Sequence, residues 1–285
     1  MIYNPRAGRR THSRAILGIR AALGDAYELT VTPTAGPHHA TRLAREAAAR
    51  EDAVAFAWGG DGTVREVVEG ILGSPVALGV LPGGTFNVVA VTLGLPRRDP
   101  VKAAAILAGA KAQARDVGLI GEAAFLMQAT AGLDGFFMHH MSADLKAKFG
   151  IAGSIIDGFS ALRRYEFPWF EVDVDGVTRR VTGAAFVNMA EYAGLYQFVP
   201  GARWDDRKAH ALLYSGRSRL AAISFAISLG LGRHHLRRDV EIVEARSLTF
   251  RAGPRVFAQM DGDPWRGPLP VTCTLAADQI RVLIP

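Results

Sequence analysis

Two glycine-rich turns stand close together in the chain, Gly59-Gly60-Asp61-Gly62-Thr63 and Pro82-Gly83-Gly84-Thr85. Each follows a short apolar run, Asp52 to Trp58 and Val76 to Leu81, and each feeds a helical pattern, one resuming at Val64 and one running from Phe86 to Leu93. A strand that ends in a glycine turn and leads into a helix aims backbone N–H groups at one spot with the helix dipole behind them, a geometry suited to phosphate. Asp61 adds a carboxylate among those amides. It would repel bare phosphate, but it fits a nucleotide whose Mg²⁺ bridges the carboxylate and the phosphate oxygens. Neither turn ends in Lys-Ser or Lys-Thr, so a P-loop NTPase is excluded. Gly-Gly-Asp-Gly is also a sound tight turn with no ligand, and the residues alone leave that alternative open.

The elements that must hold these turns alternate. Residues His12 to Leu23 have helical apolar spacing, Tyr27 to Thr32 alternates like a strand, and His38 to Arg50 is an alanine-rich amphipathic helix. Helix Val101 to Gln113 follows the second turn. Strands alternating with helices imply a mostly parallel sheet covered on both faces. After about Ala114 the pattern turns β-rich. Candidate strands are Ala123 to Ala129, Phe170 to Val174, Arg179 to Asn188, Ala209 to Ser215, Val240 to Glu244, Ser247 to Phe250 and Val271 to Leu275. Helical stretches at Met138 to Tyr165 and Arg219 to Leu229 interrupt them. The expected division is an α/β domain over 1–115 and a β-rich domain over 116–285, with the last strand a candidate to return to the first domain.

Composition narrows the class. With 285 residues, 49% of them hydrophobic and 21% charged, the chain is too apolar for a disordered protein and long enough for a substantial core. The apolar run Leu220 to Gly232 is thirteen residues, short of the roughly 18–20 that a spanning helix needs. No apolar leader is read in Met1 to Arg6, and the single Cys273 excludes an internal disulfide and any multi-cysteine zinc site. A cytoplasmic location is the resulting expectation. The net charge is +6, and residues 1–20 alone carry Arg6, Arg9, Arg10, Arg14 and Arg20 with no acid. That suits a phosphate-bearing partner, or equally a solvated basic helix face.

The ordered set of motifs resembles the diacylglycerol kinase catalytic family, which includes bacterial lipid kinases, sphingosine kinases and ceramide kinases. It comprises Asn4-Pro5-Arg6-Ala7-Gly8, then Gly59 to Glu66, then Leu81 to Asn87, then Ala129 to Asp134, Asn188, Pro200-Gly201-Ala202 with Asp206, and Met260-Asp261-Gly262-Asp263. The likeness runs over nearly the whole chain. It implies an N-terminal α/β nucleotide domain and a C-terminal β-sandwich, with the active site in the interdomain cleft, and an ATP- and Mg²⁺-dependent transfer to a lipid alcohol. By resemblance, ATP is contacted by Asn4, by Gly59, Gly60, Asp61, Gly62, Thr63, Val64, Arg65 and Glu66, by Gly84 and Thr85, and by Thr34, with Thr32 the alternative. Asp61 and Asp116 match two of three carboxylates that hold magnesium through water. Asp206 with the carbonyls of Arg203 and Lys208 matches a second, structural magnesium site. Asp263 is the candidate base and Asp61 its catalytic partner, although Asp261 to Pro264 is also a plain β-turn sequence.

Four departures from the pattern bear on chemistry. Val88 stands where the third metal-network aspartate is usual, Arg65 replaces a common asparagine, and Arg207 and His210 replace glycine and aspartate near the second metal site. Only Met1-Ile2-Tyr3 precede Asn4, so the first strand is expected to be truncated or its start misassigned. The rival readings are a degenerate member that binds without turnover and an NAD kinase-like enzyme acting on a soluble nucleotide. Expected partners are a lipid alcohol, an anionic membrane surface met peripherally through Phe136 to Arg164 and Arg217 to Arg238, and a second copy of the chain as in bacterial members. Nucleic acid is not expected, since no basic run is interleaved with aromatics. The pairs His38-His39, His139-His140 and His234-His235 point apart on any regular element and are not read as metal ligands.

Overall fold

The computed structural model describes residues 1–7, 12–50, 53–141, 158, 160–192, 196–251, 253 and 255–285. They form two compact units, Met1–Val117 with Ala276–Pro285, and Gly118–Leu275. The expected helix Met138 to Tyr165 falls largely on residues outside those described, as does the end of the Asn4-Pro5 motif at Gly8.

In the first unit the chain runs through β1 (Ile2–Tyr3), α1 (His12–Leu23), β2 (Thr32–Pro33), α2 (His39–Ala49), β3 (Val54–Gly59), α3 (Asp61–Ile71), β4 (Ala77–Pro82), α4 (Val88–Thr92), α5 (Pro100–Leu107) and β5 (Lys111–Arg115). The sheet order is β2-β1-β3-β4, then the C-terminal strand Ile280–Ile284, then β5. All pairs are parallel except the last, where β5 lies antiparallel on Ile280–Ile284. β3 and β4 are buried almost throughout, as a parallel sheet covered on both faces requires. On the outside, α2 presents Ala40, Ala44 and Ala47 inward. A Cβ added at Gly70 of α3 would lie 2.5 Å from the Ala44 Cβ, so these small residues let the two helices touch backbone to side chain.

Three sequence expectations are corrected in this unit. The strand expected over Tyr27 to Thr32 is only Thr32–Pro33, because β1 offers just Ile2 and Tyr3 as partners. Helix α3 begins at Asp61 and not at Val64, since Gly60 is the extended N-cap residue and Asp61-Gly62-Thr63 is already the first helical turn. The helix expected over Val101 to Gln113 ends at Leu107. Asp99 caps its start through the Lys102 amide with Pro100 at the first position. Beyond Gly109 the segment Lys111–Arg115 finds the free edge of Ile280–Ile284 and becomes a strand.

The second unit contains β6 (Gly118–Ile120), β7 (Ala123–Phe125), β8 (Gln128–Gly132), α6 (Leu133–His140), β9 (Phe170–Val174), β10 (Val177–Val181), β11 (Gly183–Val187), β12 (Glu191–Tyr192), β13 (Tyr196–Gln197), β14 (Ala209–Tyr214), α7 (Arg219–Gly230), β15 (Val240–Ala245), β16 (Ser247–Phe250), β17 (Ala258–Met260), β18 (Asp263–Pro264) and β19 (Val271–Leu275). Two six-stranded antiparallel sheets, β10-β9-β16-β19-β6-β7 and β15-β14-β11-β8-β17-β18, make a sandwich. Phe125, Phe186, Phe250, Leu248 and Cys273 lie in its core. Burial pushes the Cys273 thiol well above its ordinary pKa, so it is a packed, unreactive group. The strand expected over Ala123 to Ala129 breaks into β7 and β8, and the break has a cause: the amides of Leu126, Met127 and Gln128 turn to the Asp261 carboxylate at 2.7–3.1 Å. The outer face of the second sheet carries a smaller apolar cluster with Leu229 of α7.

Candidate active site

The order β2-β1-β3-β4 reverses direction between β1 and β3, and the C-terminal ends of strands at such a switch point are where open α/β sheets take ligands. Three loops leave those ends here. The Asn4 amide donates to the Trp58 carbonyl of β3, the Thr34 amide donates to the Tyr3 carbonyl of β1, and Gly59-Gly60 end β3. Asn4, Thr34, Gly59 and Gly60 are therefore brought to one edge. The Asn4 side chain accepts from the Arg6 amide at 2.9 Å, which shapes its turn. Thr32 lies within β2, one residue before its end, so Thr34 is the residue on the loop itself.

The two glycine turns meet backbone to backbone. The Gly83 amide donates to the Gly59 carbonyl at 2.8 Å, and a Cβ on Gly84 would lie 2.6 Å from the Gly60 Cα. A Cβ on Gly59 would lie 2.4 Å from the Thr63 hydroxyl oxygen. Glycine is required at these positions by close approach, since none of the three has a positive φ. Asn87, in the left-handed region at φ 51, locks the second turn: its amide oxygen accepts from the Gly84 N–H at 2.8 Å, and its amide nitrogen donates to the carbonyls of Gly84 and Arg97. Arg97 in turn donates to the Phe86 carbonyl at 3.0 Å. Neither Asn87 nor Arg97 was singled out from the sequence. The asparagine after Gly-Thr-Phe is the signal that could have found the first; Arg97 has no local signal.

With the Gly83 and Gly84 amides used to hold the turns, the first turn of α3 is where helix N–H groups and the macrodipole coincide in a way that suits an anion. The Thr63 and Val64 amides both point back at the Gly60 carbonyl, and the Val64 side chain is buried. The Val64 side chain is therefore a packing group of α3. Gly62 lies in the turn, Thr63 is at the edge of burial, and Thr85 is exposed at the tip of the second turn. Arg65 is one turn further along α3 and buried. Glu66 has a structural role: its carboxylate oxygens accept from the His38 amide at 2.9 Å and the Ala40 amide at 3.1 Å, so it caps the start of α2 and fixes the loop that carries Thr34.

Asp61 joins the two turns. Its carboxylate accepts from the Val89 amide at 3.1 Å at the start of α4. Burial pushes its carboxyl above the ordinary aspartate value, opposed by backbone hydrogen bonds to residues 87–89 and to its own amide. Asp116 is fully buried and accepts from the Gln279 side chain at 2.9 Å. Val88, at the third position, is buried and apolar. Among the described residues no group of three or more His, Cys, Asp or Glu side chains could hold a metal ion. In the second candidate loop, Asp206 accepts from the Lys208 amide at 3.1 Å, Arg203 pairs with Asp205, and the Lys208 ammonium pairs with Glu244. Those contacts, with Arg207 at φ 59, shape the loop that holds Asp206.

The second unit carries a cavity of about 740 Å³ beneath α7. Its floor is the outer face of β8, β11 and β14, where Thr130, Gly183 and Ala185 are small, while Ala131 and Ala184 line it from the strands and belong to the sandwich core on the other face. From above, α7 offers Ala222, Ala226 and Gly230, spaced by four, so the helix and the sheet leave a gap that neither fills. Leu162, Phe167, Phe198 and Leu212 close the sides. Among the described residues Asp134 is the only acidic one in this wall. Its carboxylate accepts from the Thr130 hydroxyl at 2.7 Å and the Gln259 amide nitrogen at 2.8 Å, while Gln259 accepts through its own oxygen from the Gly262 N–H. The turn Asp261-Gly262, with φ 49 and 85, is a two-residue hairpin turn that presents Asp263 exposed on β18. Asp261, buttressed by three amides of the β7–β8 break, is its structural foot. The sequence reading included Asp134 in a motif without giving it a role and passed over Gln259; the two meet across 125 positions of chain.

Residues 1–120 match the diacylglycerol kinase catalytic domain family, and residues 128–284 match the YegS C-terminal NAD kinase beta sandwich-like domain family. The chain belongs to the diacylglycerol kinase family. Membership makes it a phosphotransferase of the lipid kinase type. Among relatives, a diacylglycerol kinase of Bacillus subtilis is 27% identical over 290 residues, covering 100% of this chain and 95% of that one. A diacylglycerol kinase of Staphylococcus haemolyticus is 26% identical over 291 residues, covering 100% and 87%. A solved diacylglycerol kinase structure from Bacillus anthracis superposes with a TM-score of 0.80 at 23% identity, over 100% of this chain and 96% of that one. The fold class read from the sequence, an α/β unit followed by a β-sandwich, is the fold of this family.

Proposed function

We propose that this lipid kinase takes ATP on the first unit, at the ends of β1 and β3 and the first turn of α3, and a long-chain lipid alcohol on the second. The observation that carries the reading is the cavity under α7: apolar walls of a size that suits a ligand of several hundred cubic ångströms, with one acidic residue, Asp134. A soluble nucleotide acceptor has no use for such walls, which disfavours an NAD kinase-like activity. Asp134, steadied by Thr130 and Gln259, is suited to accept a hydrogen bond from a lipid hydroxyl or headgroup.

In the reaction the acceptor oxygen attacks the γ-phosphorus, the bond to the β-phosphate oxygen breaks, and ADP leaves. Asp263 is the proposed receiver of the hydroxyl proton. Asp61 and Asn87 act by holding the two glycine turns against each other, so the phosphates meet preorganised amides. Mg²⁺, when bound with the nucleotide, would supply charge neutralisation at the phosphates, with Asp61 and Asp116 the carboxylates that the resemblance offers it, and no step is routed through it. A peripheral, cytoplasmic enzyme is in keeping with this; among the described residues no helix is long and apolar enough to cross a membrane.

Labelled ATP offered with diacylglycerols, monoacylglycerols and sphingoid bases tests the reading. Transfer to at least one long-chain alcohol, falling on the order of a hundredfold in Asp134→Asn, is expected. Transfer to NAD⁺ and to no lipid would overturn it.

A further inference from the structure

Six of the nine exposed large hydrophobics among the described residues fall between Tyr196 and Leu236, so apolar exposure is concentrated in one region. Leu220, Ile223, Ile227 and Leu231 recur at three- and four-residue steps along α7 and its C-cap, within an arc of about 80° at 3.6 residues per turn. Leu220 is 78% exposed, Ile227 59% and Leu231 68%, and Leu236 follows at 71% in the next turn. Among the described residues no packing explains this stripe. The opposite face of α7 supplies Ala222 and Leu229 to the interior.

Charge surrounds the stripe with a single sign. From Arg217 to Arg238 there are five arginines and no aspartate or glutamate. Arg217 and Arg219 lie before the stripe, and Arg219 donates to the Arg163 carbonyl, which brings the exposed Arg163 and Arg164 to the same end. Arg217 also lies 5.4 Å from the centre of the Trp169 ring, an aromatic of the kind that sits at bilayer interfaces. Arg233 and Arg238 lie after the stripe and are exposed. Among the described residues Arg237 is matched, by Asp239 at 2.7 Å, and the other four arginines of this stretch have no acidic partner. An apolar stripe between arginine clusters is complementary to an anionic bilayer: hydrocarbon for the leucines and isoleucines, lipid phosphates for the guanidinium groups.

The stripe also meets the cavity. Tyr196, Ile223 and Ile227 are exposed and at the same time line the cavity, so they form its rim. We propose that α7 and the turn through Leu236 dock the protein on an anionic lipid bilayer, with the rim of the cavity set against the membrane. The docking stands on the surface alone. Its consequence, that an acceptor lipid slides from bilayer to cavity past Ile223 and Ile227 without crossing water, rests on the kinase reading above.

The test is co-sedimentation with vesicles of phosphatidylcholine alone and of phosphatidylcholine with phosphatidylglycerol, in the absence of ATP. It compares the wild type with Leu220→Ser/Leu231→Ser/Leu236→Ser and with Arg233→Gln/Arg238→Gln, none of which lines the cavity. The wild type is expected to sediment with the anionic vesicles. The leucine variant should lose at least tenfold in partitioning. The arginine variant should lose about fivefold per arginine and converge with the wild type at high salt. Circular dichroism melts of both variants check that the fold is intact. Turnover on a detergent-dispersed acceptor is measured alongside. Wild-type turnover in detergent with loss on vesicles supports the docking, while absence of turnover in every protein sinks the kinase reading and leaves the sedimentation result to decide the docking by itself. Equal sedimentation of wild type and leucine variant overturns the proposal. So does a wild type that ignores vesicles and is a dimer in gel filtration where the leucine variant is a monomer, since the face would then belong to a second copy of the chain.

Discussion

Adding one methyl group to Gly84 should disable the enzyme without unfolding it. The new Cβ would lie 2.6 Å from the Gly60 Cα, 3.3 Å from the Gly60 nitrogen and 3.1 Å from the Asn87 Oδ1. Ordinary carbon contacts are about 3.5–4.0 Å, so the turns must part by roughly 1 Å, and the atom in the way is backbone that cannot rotate aside. Gly84 has no positive φ, so the effect is separation of the turns and not a forbidden conformation. Overpacking of this kind costs about 1–3 kcal/mol in stability, which a protein of this size survives. A displacement of about 1 Å in a phosphate-holding group costs about 10²-fold in turnover. Steady-state phosphoryl transfer with a thermal melt is the assay. Gly84→Ala should lose about a hundredfold in kcat/KM for ATP with a drop in Tm of several degrees. Gly109→Ala, where nothing lies within 4 Å of the added Cβ, should be silent in both. Activity of Gly84→Ala within twofold of wild type would refute the claim that the two turns act as one surface.

Three further outcomes follow from the same contacts. Asp261→Ala strands the amides of Leu126, Met127 and Gln128 and should cost about 3–5 kcal/mol in denaturant unfolding, far more than an exposed turn aspartate. Glu66→Ala uncaps α2 and should lower stability by about 1–2 kcal/mol, whereas Glu66→Gln, which can still accept one of the two bonds, should lose less. His234 is fully buried, its Nε2 bonds to the Phe198 carbonyl, and its Nδ1 has no partner among the described residues. Burial lowers its pKa, with neighbouring His235 adding to the effect. The unfolded chain therefore binds the proton first, so this contribution to stability is complete above the unfolded value of about 6.5 and is lost as pH falls below it. The fall in Tm from pH 7.5 to 5.5 should be steeper in wild type than in His234→Phe; equal slopes would remove His234 from the account.

How much of this was legible in the sequence depended on the range of the interaction. Gly59 to Thr63 and Pro82 to Thr85 announced themselves because close backbone approach admits only glycine and the punctuation is local. Even there the helix start was read three residues late, because glycines inside a first turn look like loop. Lys111–Arg115 was read as the end of a helix because its alternation is short and its partner strand lies more than 160 residues away, at Ile280–Ile284. The break between β7 and β8 was invisible for the same reason: the carboxylate that causes it belongs to Asp261. Glu66 entered the phosphate loop by resemblance, and the cap it makes on α2 was not legible because its amide partners His38 and Ala40 lie 28 and 26 positions away. The cavity was hidden because small residues at Ala184, Ala185, Ala222 and Ala226 carry no motif, and only their juxtaposition makes a volume.

The central claim is that the cavity under α7 receives the chain of the acceptor lipid. Its most direct test is the chain-length dependence of phosphoryl transfer in wild type and in Ala226→Trp, which fills the cavity from its partly open side. The account predicts that the wild type prefers long-chain over short-chain acceptors by on the order of tenfold or more, since each buried methylene contributes about 0.8 kcal/mol. In Ala226→Trp that preference should collapse while ATP affinity stays unchanged. An unaltered chain-length preference in a folded Ala226→Trp protein would contradict it.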